Sequence, residues 1–220
     1  MSDNERYFRD ARTLMVDGQI RPNNIADDRV ITAMRTIRRE RFCPPAQMGR
    51  AYSDADLPLG HGRFMPAPLT IARLAQAAAT HPGTRVLVVG ANTGYGAAVL
   101  ASGGATVVAL EDDEALRAMA AEALAAEAAD VLLLAGPLAA GAPAHAPYDV
   151  IVIEGAVDML PAAFAAQLAP GGRLITILND NGVGRLVVAE AVGGAFAHRT
   201  LADRNAPLLA SFQRKAAFSF

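Results

Sequence analysis

From residue 85 onward the chain alternates short, almost wholly apolar runs with helical stretches, and this limits the folds open to it more than any other feature. The runs 85–89, 107–110, 131–134, 149–153 and 173–177 are rich in Val, Leu and Ile. They are continuous rather than alternating, as strands buried on both faces are. Helical segments fall between them: 97–101, an alanine-rich stretch from a cap at Asp112-Asp113 to about residue 127, and one around 160–168 that Pro170-Gly171-Gly172 ends. Such alternation predicts an α/β fold with a doubly wound, mainly parallel sheet and helices on both sides. The stretch 187–220 is less periodic and is expected to add antiparallel edge strands.

The first third reads as helices. Asp27-Asp28 caps one whose apolar face is Val30, Ile31, Met34 and Ile37. A Pro/Gly-rich loop follows over 57–68. Pro68 then opens a helix with Ile71, Leu74, Ala75 and Ala78 on one face, ended by His81-Pro82-Gly83. With no internal repeat and no composition break, the 220 residues are expected to form one domain. Within it, 1–80 make a helical cap with a substrate loop, and 81–220 make the α/β core.

Composition excludes several classes. A net charge of −2 gives no basic field for nucleic acid or an anionic membrane. The cluster Arg35, Arg38, Arg39 and Arg41 is interrupted by Glu40 and reads as the solvated end of a helix. Met1-Ser2-Asp3-Asn4-Glu5-Arg6 lacks the apolar core of a secretory signal. The apolar stretch 131–144 is broken by Gly136, Pro137, Gly141 and Pro143 and is too short to span a bilayer. A cytoplasmic location without membrane contact is therefore expected. Cys43 reads as a small buried hydrophobe, and His61, His81, His145 and His198 stand at no metal-ligand spacing, so no metal is expected.

In sheets of this kind ligands sit beyond the carboxyl ends of the strands, where strand order reverses. Two features mark that edge here: the turn Gly90-Ala91-Asn92-Thr93-Gly94, and Glu111, placed at the end of the second strand to accept hydrogen bonds from ribose hydroxyls. A plain tight turn and a solvated loop acid is the competing reading. The dinucleotide fingerprint would need glycine at 92 and 95, where the chain has Asn92 and Tyr95, which speaks against a nicotinamide oxidoreductase.

Along nearly its whole length the chain resembles the protein-L-isoaspartate O-methyltransferase family. Met15-Val16-Asp17-Gly18-Gln19-Ile20 is similar to the family's M-V-x-x-Q-[IL]. Arg39-Glu40-Arg41-Phe42-Cys43-Pro44 is similar to P-R-x-x-F-V-P, and Ala51-Tyr52 with Leu57-Pro58-Leu59-Gly60 to A-Y…P-L-P-I-G. The run 85–101, Tyr148-Asp149, and Leu168 through Leu174 match the family's first, fourth and fifth strand motifs. The resemblance implies a Rossmann-like class I methyltransferase fold, S-adenosylmethionine as small-molecule cofactor, and a peptide or protein acceptor. Gly90, Asn92, Gly94, Tyr95, Glu111 and Gly136 are the cofactor-binding residues it implies.

The departures bear on the chemistry. The family's substrate loop G-[YHQ]-G-Q-T-I-S-Q-P is here Gly60-His61-Gly62-Arg63-Phe64-Met65-Pro66-Ala67-Pro68, so Pro66 stands at the serine taken as catalytic. A carboxylate acceptor is already ionised, and the enzyme chiefly positions it through donors. Proline offers neither a hydroxyl nor an N–H. No catalytic residue is thus carried over, and His61, Arg63 and Glu154 are the candidates in its place. On the cofactor side Val88 replaces an acid, Asn92 a glycine, and Pro137 the aspartate that receives the adenine amine. Losing two hydrogen bonds to charged groups costs roughly 3–6 kcal/mol at most. Isoaspartyl activity is therefore expected to be weak or absent. Two readings stay open: a methyltransferase with another acceptor, and a non-catalytic binding or regulatory module on the same fold. Arg63 and Glu154 either re-equip the crevice or form a surface ion pair that closes it.

Overall fold

The computed structural model describes residues 2–127 and 129–214. It opens with α1 (Asp3–Met15), whose N-terminus carries a reciprocal cap between Ser2 and Glu5. The helix runs into a π-helical turn, Val16–Ile20. Then comes α2 (Asp28–Thr36), capped by the Asp27 carboxylate as its sequence predicts. The Pro/Gly-rich segment is more ordered than a loop. It folds into a hairpin of β1 (Leu57–Gly60) and β2 (Arg63–Met65), which pair antiparallel. Gly60, His61 and Gly62 all have positive φ, and this tight reversal brings the two short strands together. Helix α3 (Pro68–Ala78) follows, with Pro68 in its first turn.

The sheet then builds as its apolar runs require. β3 (Arg85–Val89), α4 (Tyr95–Ser102), β4 (Thr106–Glu111), α5 (Glu114–Ala126), β5 (Val131–Ala135), β6 (Tyr148–Val157), β7 (Leu168–Asp180), β8 (Val183–Val192) and β9 (Ala195–Asp203) follow in order. Among the described residues seven strands form one sheet in the order β5-β4-β3-β6-β7-β8-β9. Pairing is parallel from β5 to β7 and antiparallel for β7–β8 and β8–β9, the expected edge strands. Positions 215–220 of the expected C-terminal stretch lie outside the described residues.

The expected helix over 160–168 is instead a 3-10 segment, Ala162–Gln167, which passes directly into β7. Pro161 precedes it and the strand begins at Leu168, so too few residues remain for a stable α-helix. The extra residues around Pro170-Gly171-Gly172 are absorbed as an irregularity, with Tyr148 opposite Leu168 but Val150 opposite Arg173.

Chain order reverses between β3 and β6, so the crevice opens at the carboxyl ends of these strands. Val86, Leu87, Val88 and Val89 are wholly buried. One hydrophobic cluster joins Phe8, Met15 and Met34 of the N-terminal helices to Val88, Val150 and Ile175 of the sheet. Helix α2 packs on α3 and α4. Among the described residues no helix is long and apolar enough to cross a membrane, and no group of His, Cys, Asp and Glu could hold a metal ion.

Candidate functional site

The crevice floor is the turn after β3. Gly90, Asn92 and Gly94 all have positive φ, at 69°, 54° and 92°. Asparagine is the residue that most readily replaces glycine in the left-handed region, which explains why the turn survives with Asn92. Its side chain helps hold the bend, Nδ2 donating to the Gly90 carbonyl at 3.0 Å. Gly94 then caps α4, whose first residue, Tyr95, is wholly buried.

Glu111, the last residue of β4, is wholly buried and its carboxylate is fully engaged. Oε2 accepts from the Asn92 backbone N–H at 2.7 Å and from Arg63 Nη2 at 2.7 Å. Oε1 accepts from the Asp113 backbone N–H at 3.0 Å and from Arg63 Nη1 at 2.8 Å. Nη1 also donates to Asp112 at 2.9 Å. This is a bidentate guanidinium–carboxylate fork, the strongest geometry for such a pair. Burial pushes the Glu111 carboxyl upward, and Arg63 together with the Asp113 N–H pulls against that. A second contact runs parallel: His61 Nδ1 lies 2.7 Å from Asp113 Oδ2. The Leu116 N–H that Asp113 caps, first, and His61 with it hold the Asp113 carboxyl below its usual range.

Arg63 therefore does not pair with Glu154, and Glu154 is not on the surface. β3 lies between β4 and β6, so an arm that reaches the end of β4 stops one strand short of Glu154. Glu154 is 2% exposed, on β6 beneath α4. A Cβ on Gly96 would fall inside its carboxylate, so the glycine makes room for the acid. Burial pushes the Glu154 carboxyl up to about 8, against the pull of Arg39 and of Asn92.

Arg39 is the functional-looking residue that sequence reasoning misplaces. It is wholly buried rather than on a solvated helix end. Nε donates to the Ala51 carbonyl at 2.8 Å and Nη2 to the Pro66 carbonyl at 2.7 Å. Its Cζ stands 4.7 Å from the centre of the Tyr95 ring, and Phe42 meets the same ring edge-on. Arg38 and Arg41 do remain partly exposed, paired with Glu127. Around this knot Arg39 Nη1, Asn92 Oδ1, Thr93 Oγ1, Tyr95 Oη and Glu154 Oε1 are buried without a hydrogen-bond partner.

A second contributor without a clear sequence signal is the segment after β9. The Ala156 N–H donates to the Pro207 carbonyl and the Leu209 N–H to the Ala156 carbonyl, at 2.8 and 3.0 Å. This strap lays Leu209 over the crevice floor, where a Cβ at Gly90 would lie 3.0 Å from Leu209 Cδ1 and 3.5 Å from Arg63 Nη2. Outside these two side chains a cleft of about 330 Å³ remains, lined by His61, Arg63, Asp112, Asp113, Leu138 and Leu209. Gly136, which follows β5, faces Leu110 instead. Pro137 is exposed and Val88 belongs to the sheet core.

Residues 11–202 match the protein family described as protein-L-isoaspartate(D-aspartate) O-methyltransferase. The protein-L-isoaspartate O-methyltransferase of Methylorubrum extorquens is 45% identical over 166 residues, covering 76% of this chain and 73% of its own length. That of Gloeobacter violaceus is 36% identical over 198 residues, covering 88% and 96%. Among solved structures, a protein-L-isoaspartate O-methyltransferase matches with a TM-score of 0.79 at 22% identity, over 90% of this chain and 66% of its own. A Plasmodium falciparum protein of that description, in complex with S-adenosyl-L-homocysteine, matches at 0.74 and 19% identity, over 91% and 98%. These two likenesses support the fold. With strand order, crevice and sequence relatives in agreement, this chain belongs to the protein-L-isoaspartate O-methyltransferase family.

Proposed function

We propose that this chain is a methyltransferase that takes S-adenosylmethionine at the β3/β4 edge and methylates an acceptor other than an isoaspartyl carboxylate. The observation that carries the cofactor reading is Glu111: a buried carboxylate at the end of the second parallel strand, oriented by two backbone N–H groups beside a left-handed turn. An acid there receives the ribose hydroxyls in nucleotide-binding sheets of this type. The remaining residues fit the same group. Gly90 and Gly94 leave bare backbone for close approach, and Asn92 Oδ1, Thr93 Oγ1 and Tyr95 Oη are buried polar atoms without partners. When bound, the cofactor supplies a methyl group activated by its sulfonium. Glu111 would hold and orient it, with Asn92 and Asp113 holding Glu111 in turn.

The acceptor reading rests on charge and on Pro66. The Pro66 carbonyl is bound by Arg39, and proline brings no donor to orient a carboxylate. The rim carries Glu111, Asp112 and Asp113 in succession, set against the single guanidinium of Arg63. Two like charges 4 Å apart repel by about 1 kcal/mol in water and about 4 kcal/mol near a protein surface. A neutral or cationic acceptor avoids that cost. A second reading, a binding module without methyl transfer, is favoured by Arg63 and Leu209, which fill the inner crevice.

Calorimetric titration tests the first reading. S-adenosylhomocysteine is expected to bind, an analogue lacking both ribose hydroxyls to bind at least thirtyfold more weakly, and an isoaspartyl peptide to remain unmethylated. Equal affinity for the two ligands removes Glu111 from the site. Robust turnover of the peptide overturns the acceptor assignment, and no binding at millimolar ligand favours the second reading.

A further inference from the structure

We infer that the crevice is closed by the chain's own β1–β2 hairpin, with Arg63 standing on Glu111 where a ribose would, so that ligand entry requires the hairpin tip to lift. This inference rests on the cofactor reading above, and it concerns how that site opens rather than what it holds.

The geometry has three parts. First, the carboxylate is saturated. Glu111 accepts four donors, two per oxygen, and two of the four come from one guanidinium. A diol can reach the carboxylate only by displacing Arg63. The fork is well shielded from water: the side chains of Arg63 and Glu111 are 11% and 0% exposed. This separates it from the exposed ion pairs that contribute little.

Second, the hairpin is built as a root and a tip. Leu57 and Met65 at the root are wholly buried, and the Ala67 N–H donates to Asp56 Oδ1 at 2.7 Å to tie the base. At the tip the backbone turns through Gly60, His61 and Gly62, and Phe64 is exposed. Two strands of four and three residues are not stable by themselves. Beyond Leu59, which is buried in the core along with the root, the tip is held down by polar contacts: Arg63 on Glu111 and Asp112, and His61 on Asp113. The tip can therefore lift while the root stays packed.

Third, the space is occupied from both sides. Arg63 Nη2 and Leu209 Cδ1 both reach the face of Gly90, where a ligand would approach the bare backbone. The adjoining cleft of about 330 Å³ lies outside them, so Arg63 forms a wall between it and the turn.

Arg63→Gln removes the fork and the charge while keeping a polar side chain, and Arg63→Lys keeps the charge without the fork. Both are compared with the parent by calorimetry with S-adenosylhomocysteine and by hydrogen exchange of residues 57–65. Arg63→Gln is expected to bind at least tenfold more tightly, equivalent to about 1.4 kcal/mol. Its hairpin is expected to exchange faster without ligand, with Arg63→Lys in between. In the parent, ligand is expected to speed exchange at the hairpin, opposite to the protection that a simple covering loop gains. Unchanged exchange in Arg63→Gln, or, where ligand binds, affinity no higher than the parent's, overturns the closure. If exchange rises in Arg63→Gln but no variant binds ligand, the hairpin latch stands and the cofactor reading falls.

Discussion

Replacing Glu154 with glutamine should change how stability depends on pH, with a sign fixed by burial. The carboxyl is 2% exposed, and burial raises it from an ordinary 4.5 to about 8. A carboxyl raised on folding binds its proton more tightly in the folded than in the unfolded chain. Its contribution is therefore fully present below pH 4.5 and is lost as pH rises through about 8, above which both states are ionised and the dependence is flat. Each tenfold gain in proton affinity is worth about 1.36 kcal/mol, so the full effect is a few kcal/mol, reduced by whatever the folded state relaxes on ionisation.

The groups that face Glu154 set what else could contribute. Arg39 from the N-terminal segment, the Asn92 amide and Arg63 from the hairpin favour its charged form, and Glu111 opposes it. In Glu154→Gln all of these remain, so the difference between parent and variant isolates one proton. The chain has no tryptophan, so urea unfolding is followed by circular dichroism at intervals from pH 5 to 9. The two proteins should have similar stability at pH 5, and the variant should become the more stable by roughly 2–4 kcal/mol at pH 9. A difference that stays constant across the range refutes the reasoning, because the carboxyl would then have been ionised in the fold throughout.

Two further substitutions probe the same knot. Gly96→Ala should cost at least about 2 kcal/mol because its Cβ would enter the Glu154 carboxylate, and Glu154→Ala in the same chain should recover most of that loss in urea unfolding. Arg39→Ala should cost roughly 3–5 kcal/mol, since it strips donors from the Ala51 and Pro66 carbonyls and leaves a buried cavity against Tyr95. A loss below about 1 kcal/mol in thermal or urea unfolding would show that water replaces the guanidinium without penalty.

The sheet is legible in the sequence because its information is local. Each of the runs at 86–89, 107–110 and 149–153 declares a buried strand by itself; Asp27 and Asp113 mark helix starts by accepting from an N–H two or three residues on, and Pro68 marks one by its fixed φ. The hairpin at 57–65 reads as loop because its strands are too short for period-two alternation to stand out, and because Pro58 interrupts one of them. Arg39 misleads for a different reason. Its neighbours in sequence are charged, and nothing within four residues reveals that the Ala51 and Pro66 carbonyls and the Tyr95 ring converge on it from elsewhere. Leu209 leaves only the faint mark of an apolar pair after Pro207.

The partner of Arg63 shows where such reading stops. A cation in a glycine-flanked loop can be assigned to a crevice, but two acids at the crevice compete for it, Glu111 and Glu154. Choosing between them requires the strand order, since β3 separates the strands that carry them. The same order sorts the departures on the cofactor side. Asn92 keeps the left-handed bend, so its backbone N–H still orients Glu111. Val88 is sealed in the sheet, and Pro137 stands exposed beyond β5. What the turn offers a nucleotide through its backbone is therefore retained, while the acidic side chains expected at 88 and 137 are gone. In the proposed reading Glu111 is left as the one charged anchor, and a single cation seated on that anchor is then enough to control access to it.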